Sequence, residues 1–417
     1  MKKETKIEIG VLIGRNRKYL LKHESNNFNQ RQFTIYKDYP ICSQSTLSRI
    51  ENGFDFSYEE VIEVLINKLG FSYSNNQEDY NELFKLADIY VELLIYKDNN
   101  QLQLFEKKFG AFYQKHKFNF YISQSLEILG ISLKYYIHSE LPNIDKIEEM
   151  IFYFPNQSNL FNLILKDIIV WFLEISPFKS DSIGKYLLNN FIIDNSCILN
   201  MILNANISIR NGDLIKAIRL LDKTQDISIN NLTRFRINRL YLLIHINILK
   251  TYDDFKVDYL DFEFNSDDIP KFELAKLYHL HGIVNIYKKD YIEAFENFNL
   301  SHSIYEPISV ISMQFMVEIY RKNQNFDIQL FLQKMNMHIN GYPKYYKNQF
   351  RLFEIIYIEK DYPKGIKFIE KNLAIDLKNI KLRNLQFSIF ESQLIELVSK
   401  TNTYKSVYDF YIITQDS

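Results

Sequence analysis

Apolar residues recur three and four positions apart along most of this chain. Leu83, Leu86, Ala87, Tyr90, Val91 and Leu94 form one such stripe. Leu240, Leu243, Ile244 and Ile248 form another, with Asn247 set into it. This period matches the 3.6-residue turn of a helix, and no run alternates as a half-buried strand does. The pattern predicts an all-α protein. Glycine and proline are sparse, 11 and 8 in 417 residues, so long helices are expected.

The first seventy residues read as a separate small bundle. One helix is expected from about Lys6 to Lys22, with Ile9, Ile13 and Leu20 or Leu21 on its buried stripe. A polar loop, Glu24 to Asn29, leads to a second helix over Gln30–Asp38. A turn at Tyr39-Pro40-Ile41 then precedes a third helix, Gln44 to Asn52. Ser43 is placed to cap that helix, because its hydroxyl can accept from a free backbone N–H. Gly53 is placed as its left-handed stop. Leu47 and Ile50 face inward, which leaves Gln44, Ser45, Thr46 and Arg49 facing out. Such side chains suit base edges and phosphates: glutamine pairs with adenine, arginine with guanine or phosphate, and the hydroxyls with either.

Beyond residue 80 a second period emerges. A polar residue followed by an aromatic or Leu recurs as Asp213-Leu214, Asp254-Phe255, Asp290-Tyr291, Asn325-Phe326 and Asp361-Tyr362. Proline interrupts a helix at a cost of about 3 kcal/mol, so it marks helix ends. Pro142, Pro177 and Pro363 fall at the expected turns within repeats, and Pro155, Pro270, Pro307 and Pro343 fall between repeats. A helix–turn–helix unit repeating at roughly 34 residues resembles the tetratricopeptide repeat. The likeness is closest in Gly282…Tyr291-Ile292-Glu293-Ala294-Phe295…Phe298, with small residues where paired helices approach and Phe298 filling the gap. It implies a right-handed helical-repeat solenoid over 80–417; the separate bundle before it, 1–72, reads from its third helix as a DNA-binding domain.

Charge sharpens the division. Residues 1–54 hold six Lys and four Arg against four Glu and one Asp, whereas the whole chain is near neutral at −1. A basic head on an acidic body fits a phosphate-facing module joined to one that is not. The two cysteines, Cys42 and Cys197, make no disulfide framework, and no signal peptide is apparent. The most apolar run, Leu160 to Ile175, is broken by Lys166-Asp167, so no membrane span and a cytoplasmic location are expected. No catalytic, metal or cofactor motif stands out; His279 and His281, two apart, would point to different helix faces. The expectation is a protein that is not an enzyme. The many Asn, the 30 Tyr and 33 Phe, and the scarcity of Ala fit an AT-rich coding bias, so little weight is placed on them.

Gly10-x-x-Ile13-x-x-x-Arg17 and Ser43-Gln44-Ser45-Thr46-Leu47-Ser48-Arg49-Ile50-Glu51-Asn52-Gly53 together resemble the Xre/lambda-repressor-like helix-turn-helix family. The resemblance implies DNA contacts from Ser43, Gln44, Ser45, Thr46 and Arg49. It also implies a structural ion pair between Arg17 and Glu51. The second helix departs from the family, with Phe33 or Gln32 near the place of its usual first Gln and Pro40 in the turn. With repeats behind such a head, the chain resembles the peptide-responsive PlcR/PrgX/Rgg/NprR group of Gram-positive regulators. That implies a short signalling peptide bound by the solenoid and a homodimer on double-stranded DNA. The repeat register places Asn206, Arg210, Asn247, His279 and Gln314 on inward faces as peptide contacts. Two other readings remain open: a repressor governed by a protein partner, and an interaction scaffold that does not bind DNA.

Overall fold

A computed structural model describes the chain except for residues 1–2, 24–25, 55–58, 74–76, 97–98, 121, 141, 143, 154–158, 176–196, 225–228, 249–265, 267–268, 324, 343, 376–384 and 416–417. The described chain is almost wholly helical, and its one sheet is a two-stranded hairpin. Among the described residues no helix is long and apolar enough to cross a membrane. The chain divides into two compact units. One contains Met1–Ile169; the other contains Val170–Lys179 and Ile193–Ser417.

The first unit begins with α1 (Lys3–His23), α2 (Gln30–Phe33), the hairpin β1 (Ile35–Tyr36) and β2 (Tyr39–Pro40), α3 (Gln44–Glu51) and α4 (Glu59–Lys68). The expected second helix over Gln30–Asp38 is corrected. Helix α2 is one turn long, and the chain then pairs Ile35 with Pro40 and Tyr36 with Tyr39. Lys37 and Asp38 at the tip have φ of 48° and 66°, the left-handed pair that a tight hairpin turn requires. Pro40 donates no N–H, which suits the end of an edge strand and not a helix. Ile9, Ile13, Phe33, Leu47, Ile50, Ile62, Leu65 and Ile66 close the core of this head.

Further helices follow before the division: α5 (Gln77–Tyr96), α6 (Asn99–His116), α7 (Ser123–His138) and α8 (Ile144–Tyr153). The six residues of the first apolar stripe are all buried in α5. Contacts run past residue 72 within this unit. Phe120 joins its core cluster, and Ser72 exchanges backbone hydrogen bonds of 2.8 Å with Phe118 and Phe120. A head this small buries little apolar surface alone, and Phe120 extends that core from the segment after α6.

The division falls inside α9 (Asn159–Ile175), whose apolar run carries Lys166 and Asp167 in its middle. Both are buried. Asp167 accepts from the Tyr136 hydroxyl at 2.6 Å, and burial pushes the Lys166 ammonium down to about 8.

The second unit contains helix pairs: α10 (Ile198–Arg210) with α11 (Leu214–Asp222), α13 (Lys271–Tyr287) with α14 (Tyr291–Ile304), and α15 (Ser309–Lys322) with α16 (Ile328–His338). Between the first two pairs lies α12 (Asn231–Ile248). After them come α17 (Lys344–Phe353), α18 (Tyr362–Phe368), α19 (Leu385–Thr401) and α20 (Lys405–Gln415). The recurring Asp has a physical cause. Asp213 and Asp290 cap the second helices of their pairs and Asp361 caps α18, each accepting from the N–H three residues on at 3.1 Å. The residue before each is left-handed: Gly212, Lys289 and Lys360. In the fourth instance the cap is Asp327, two residues past the expected Asn325, and Asp254-Phe255 lies outside the described residues.

Pro270 caps α13, Pro307 lies in the single turn before α15, and Pro363 opens α18. Pro155, Pro177 and Pro343 lie outside the described residues. Gly282 and Ala294 permit the close approach of α13 and α14. A Cβ at Gly282 would sit 2.8 Å from the Phe298 ring, and Ala294 is fully buried.

Burial pushes the imidazoles of His245, His279 and His302 below the usual histidine range. His302 stacks on Phe331, and burial, helped by Lys334 and His338, pushes its imidazole down to about 4. The unfolded chain, near 6.5, then binds this proton more readily than the folded one. Stability should therefore fall as pH drops from about 6.5 towards 4, by a few kcal/mol at most. Urea midpoints across that window test this, with His302→Phe expected to flatten the slope. Equal slopes in the two proteins would exclude His302 as the cause.

Candidate nucleic-acid interface

Helix α3 is held from behind and open in front. Leu47 and Ile50 are buried on its rear, three residues apart, while Ser43, Gln44, Ser45 and Arg49 are exposed and Thr46 is half-buried. The Ser43 hydroxyl accepts from the Thr46 N–H at 3.0 Å, and it lies 2.7 Å from the Ser45 hydroxyl and 2.8 Å from that of Thr46. This network fixes the leading turn. Ser45 and Arg49 are four apart and share a stripe, with Gln44 beside it. At the far end Asn52 caps the helix and Gly53 turns away with φ of 76°.

A buried ion pair ties α3 to α1. Arg17 Nε donates to Glu51 Oε1 at 2.5 Å and Nη2 to Oε2 at 2.9 Å, a bidentate pair almost sealed from solvent. The remaining guanidinium face is used too, since Nη1 donates to the Phe28 carbonyl at 2.8 Å. Two glycines on α1 make room for the crossing. A Cβ at Gly10 would strike the Ile50 carbonyl oxygen, and one at Gly14 would lie 2.7 Å from Glu51 Cβ. The sequence motif included Gly10; Gly14 was not singled out, although it lies one turn further along the same face.

The hairpin was missed by periodicity because two-residue strands are too short to alternate. Its signal was the paired β-formers Ile35-Tyr36 and Tyr39 around a polar Lys37-Asp38 turn. It is tethered at its base. Ile41 N–H donates to the Thr34 carbonyl at 2.7 Å, and the Lys68 ammonium donates to the carbonyls of Gln32, Phe33 and Ile35. Lys37, Tyr36 and Tyr39 are all exposed.

The residues assigned to a peptide fare differently. Asn206, His279 and Gln314 are in the packed interior of the second unit, not on an open face. Asn206 Oδ1 accepts from Arg210 Nε at 3.1 Å. His279 Nδ1 lies 2.8 Å from the Ser312 hydroxyl, between the rings of Phe298 and Phe315. Gln314 Oε1 accepts from Gln349 Nε2 at 3.0 Å. Arg210 and Asn247 are half-buried, and Asn247 donates to the Leu243 carbonyl of its own helix at 2.7 Å. Helical register put these residues on first helices, but an inward-facing polar residue can equally bond to a helix further along the chain: His279 of α13 meets Ser312 of α15, and Gln314 of α15 meets Gln349 of α17.

A charged cluster that the sequence did not flag sits in the same interior. Glu273 is fully buried between Arg236, which clasps it with two nitrogens, and Arg239 at 3.7 Å. Both guanidiniums lie over Trp171, at 4.3 and 5.0 Å from the ring centre. Among the described residues no group of three or more His, Cys, Asp or Glu is placed to hold a metal ion. Comparison with protein-family models, with curated proteins and with solved structures returns no match to this chain.

Proposed function

We propose that the chain is a DNA-binding transcription regulator whose N-terminal segment is a helix-turn-helix head of the Xre type. The observation that carries this reading is the polar leading edge of α3, exposed in front while Leu47, Ile50 and the Arg17–Glu51 pair fix it from behind. A short helix presented this way fits the major groove, with Gln44, Ser45 and Arg49 towards base edges and Ser43 and Thr46 towards phosphates. The net positive charge of the first 54 residues supplies the nonspecific attraction. The repeated Asp-capped helix pairs of the second unit support a tetratricopeptide-like solenoid, and a short peptide is the ligand such a stack suits. The burial of Asn206, His279 and Gln314 takes them out of the first contact set, which leaves Arg210 and Asn247 as the candidates nearest solvent. A homodimer is expected, because one small head covers little DNA and two-fold sites need two heads.

The test is fluorescence anisotropy of the full chain on a duplex from its own promoter region and on an unrelated duplex, across a salt series. Wild type should prefer the promoter duplex. Arg49→Ala should lose about ten- to hundredfold of affinity there, the worth of a good base contact, and with it the discrimination. Failure of the wild type to bind either duplex at low salt would overturn the reading in favour of an interaction scaffold.

A further inference from the structure

The hairpin Ile35–Pro40 does not help close the core of the head. Its six residues are all exposed, Tyr39 by 76 %, and a lone two-stranded ribbon has little stability of its own. Yet its base is tethered at both ends, by Thr34 and Ile41 and by the Lys68 ammonium on three carbonyls. Its tip adopts a left-handed turn at two non-glycine residues. Such a feature is held in shape for something outside the head.

Place and charge identify what covers it. The ribbon ends at Pro40, three residues before Ser43, so it is continuous with the leading edge of α3. Tyr36 and Tyr39 are cross-strand partners and therefore project to one side of the ribbon, with the Lys37 ammonium 5.5 Å from the Tyr36 ring centre. From Arg31 to Phe54 the exposed charges are Arg31, Lys37 and Arg49 against Asp38; the other carboxylate, Glu51, is buried on Arg17. An exposed surface of ammonium, guanidinium and phenol hydroxyls, with one carboxylate, is matched by phosphodiester oxygens.

We infer that the hairpin is a second DNA-contacting element, gripping the phosphate backbone beside the α3 site through Lys37, Tyr36 and Tyr39. This rests on the DNA-binding reading above. Phosphate contacts set register and affinity without reading sequence, so the hairpin and α3 divide the work. The ribbon also takes the second half of the span where a longer second helix was expected, beyond the single turn of α2.

The variants Lys37→Ala and Tyr36→Ser/Tyr39→Ser in the full chain separate the roles. All three positions are exposed, so folding should be kept, and circular dichroism verifies it. Each variant is titrated on the promoter duplex and on a mixed-sequence duplex, over the same salt series as Arg49→Ala. The expected result is a similar loss on both duplexes, roughly tenfold, with the salt slope reduced by about one for Lys37→Ala. Discrimination between duplexes should persist, whereas Arg49→Ala loses it. Unchanged affinity and slope in the hairpin variants, with Arg49→Ala still defective, would overturn the inference and leave the DNA-binding reading standing. So would a change in light-scattering mass with unaltered DNA affinity, which would assign the hairpin to contact with a second copy. Absence of wild-type binding to any duplex would overturn both.

Discussion

Replacing Glu273 by alanine should destabilise the second unit by about 3–5 kcal/mol, one of the two largest single-residue effects expected in this protein. The carboxylate is fully buried and faces two guanidiniums, Arg236 at hydrogen-bonding distance and Arg239 beyond it. Taking three charged groups out of water costs several kcal/mol each, and their mutual attraction recovers that only when all are present. The Trp171 face beneath both arginines adds a cation–π attraction but no negative charge. Alanine therefore removes the buried carboxylate that both guanidiniums face. Glutamine keeps much of the shape and some hydrogen bonds, so Glu273→Gln should fall between wild type and alanine. Joint replacement of Arg236, Arg239 and Glu273 by apolar residues of like volume should cost less than alanine alone, because the buried guanidiniums leave with the carboxylate they face. Urea unfolding at neutral pH measures all three. A loss below about 1 kcal/mol for Glu273→Ala would show that water reaches the cluster.

What the sequence made legible, and what it hid, follows from how far each signal reaches. Local signals read well. Ser43 caps α3, Gly53 stops it, and Asp213, Asp290 and Asp361 cap helices because capping involves a side chain and a backbone three residues away. The apolar stripe in α5 is likewise a property of one helix. The hairpin failed for the opposite reason. Gln30–Asp38 contains no strong breaker, and only the left-handed pair at Lys37 and Asp38 turns the chain back. The burial of Asn206, His279 and Gln314 was hidden because a helix face says which way a polar side chain points, not whether the neighbouring helix covers it. Ser312 and Gln349 lie 33 and 35 residues from their partners, and nothing in a single sequence ties such pairs together. The Phe120 contact to the head core is longer still.

In the head, Glu51→Ala should cost about 3–5 kcal/mol by leaving the Arg17 guanidinium buried without its carboxylate. The Phe28 carbonyl still accepts from Nη1, but a carbonyl dipole does not neutralise a charge. The consequence reaches function, although Glu51 faces away from the proposed DNA. Helix α3 is only eight residues long, too short to hold its shape without tertiary contacts. Its attachment is the Leu47–Ile50 stripe, the ion pair, and the close crossing at Gly10 and Gly14. Loosening it scatters Gln44, Ser45 and Arg49, whose joint placement any sequence reading would need. Gly10→Val should give the same outcome by a different route, since its side chain would be driven into the Ile50 carbonyl. Amide hydrogen exchange resolves the location: both variants should speed exchange in α1 and α3, with the peptides of α13–α16 unchanged. Arg49→Ala, by contrast, should leave exchange as in wild type and affect DNA binding alone. If Glu51→Ala lost DNA affinity with no gain in α3 exchange, Glu51 would be acting on the nucleic acid and not through Arg17, and the division of α3 into a buried tether and an exposed reader would have to be redrawn.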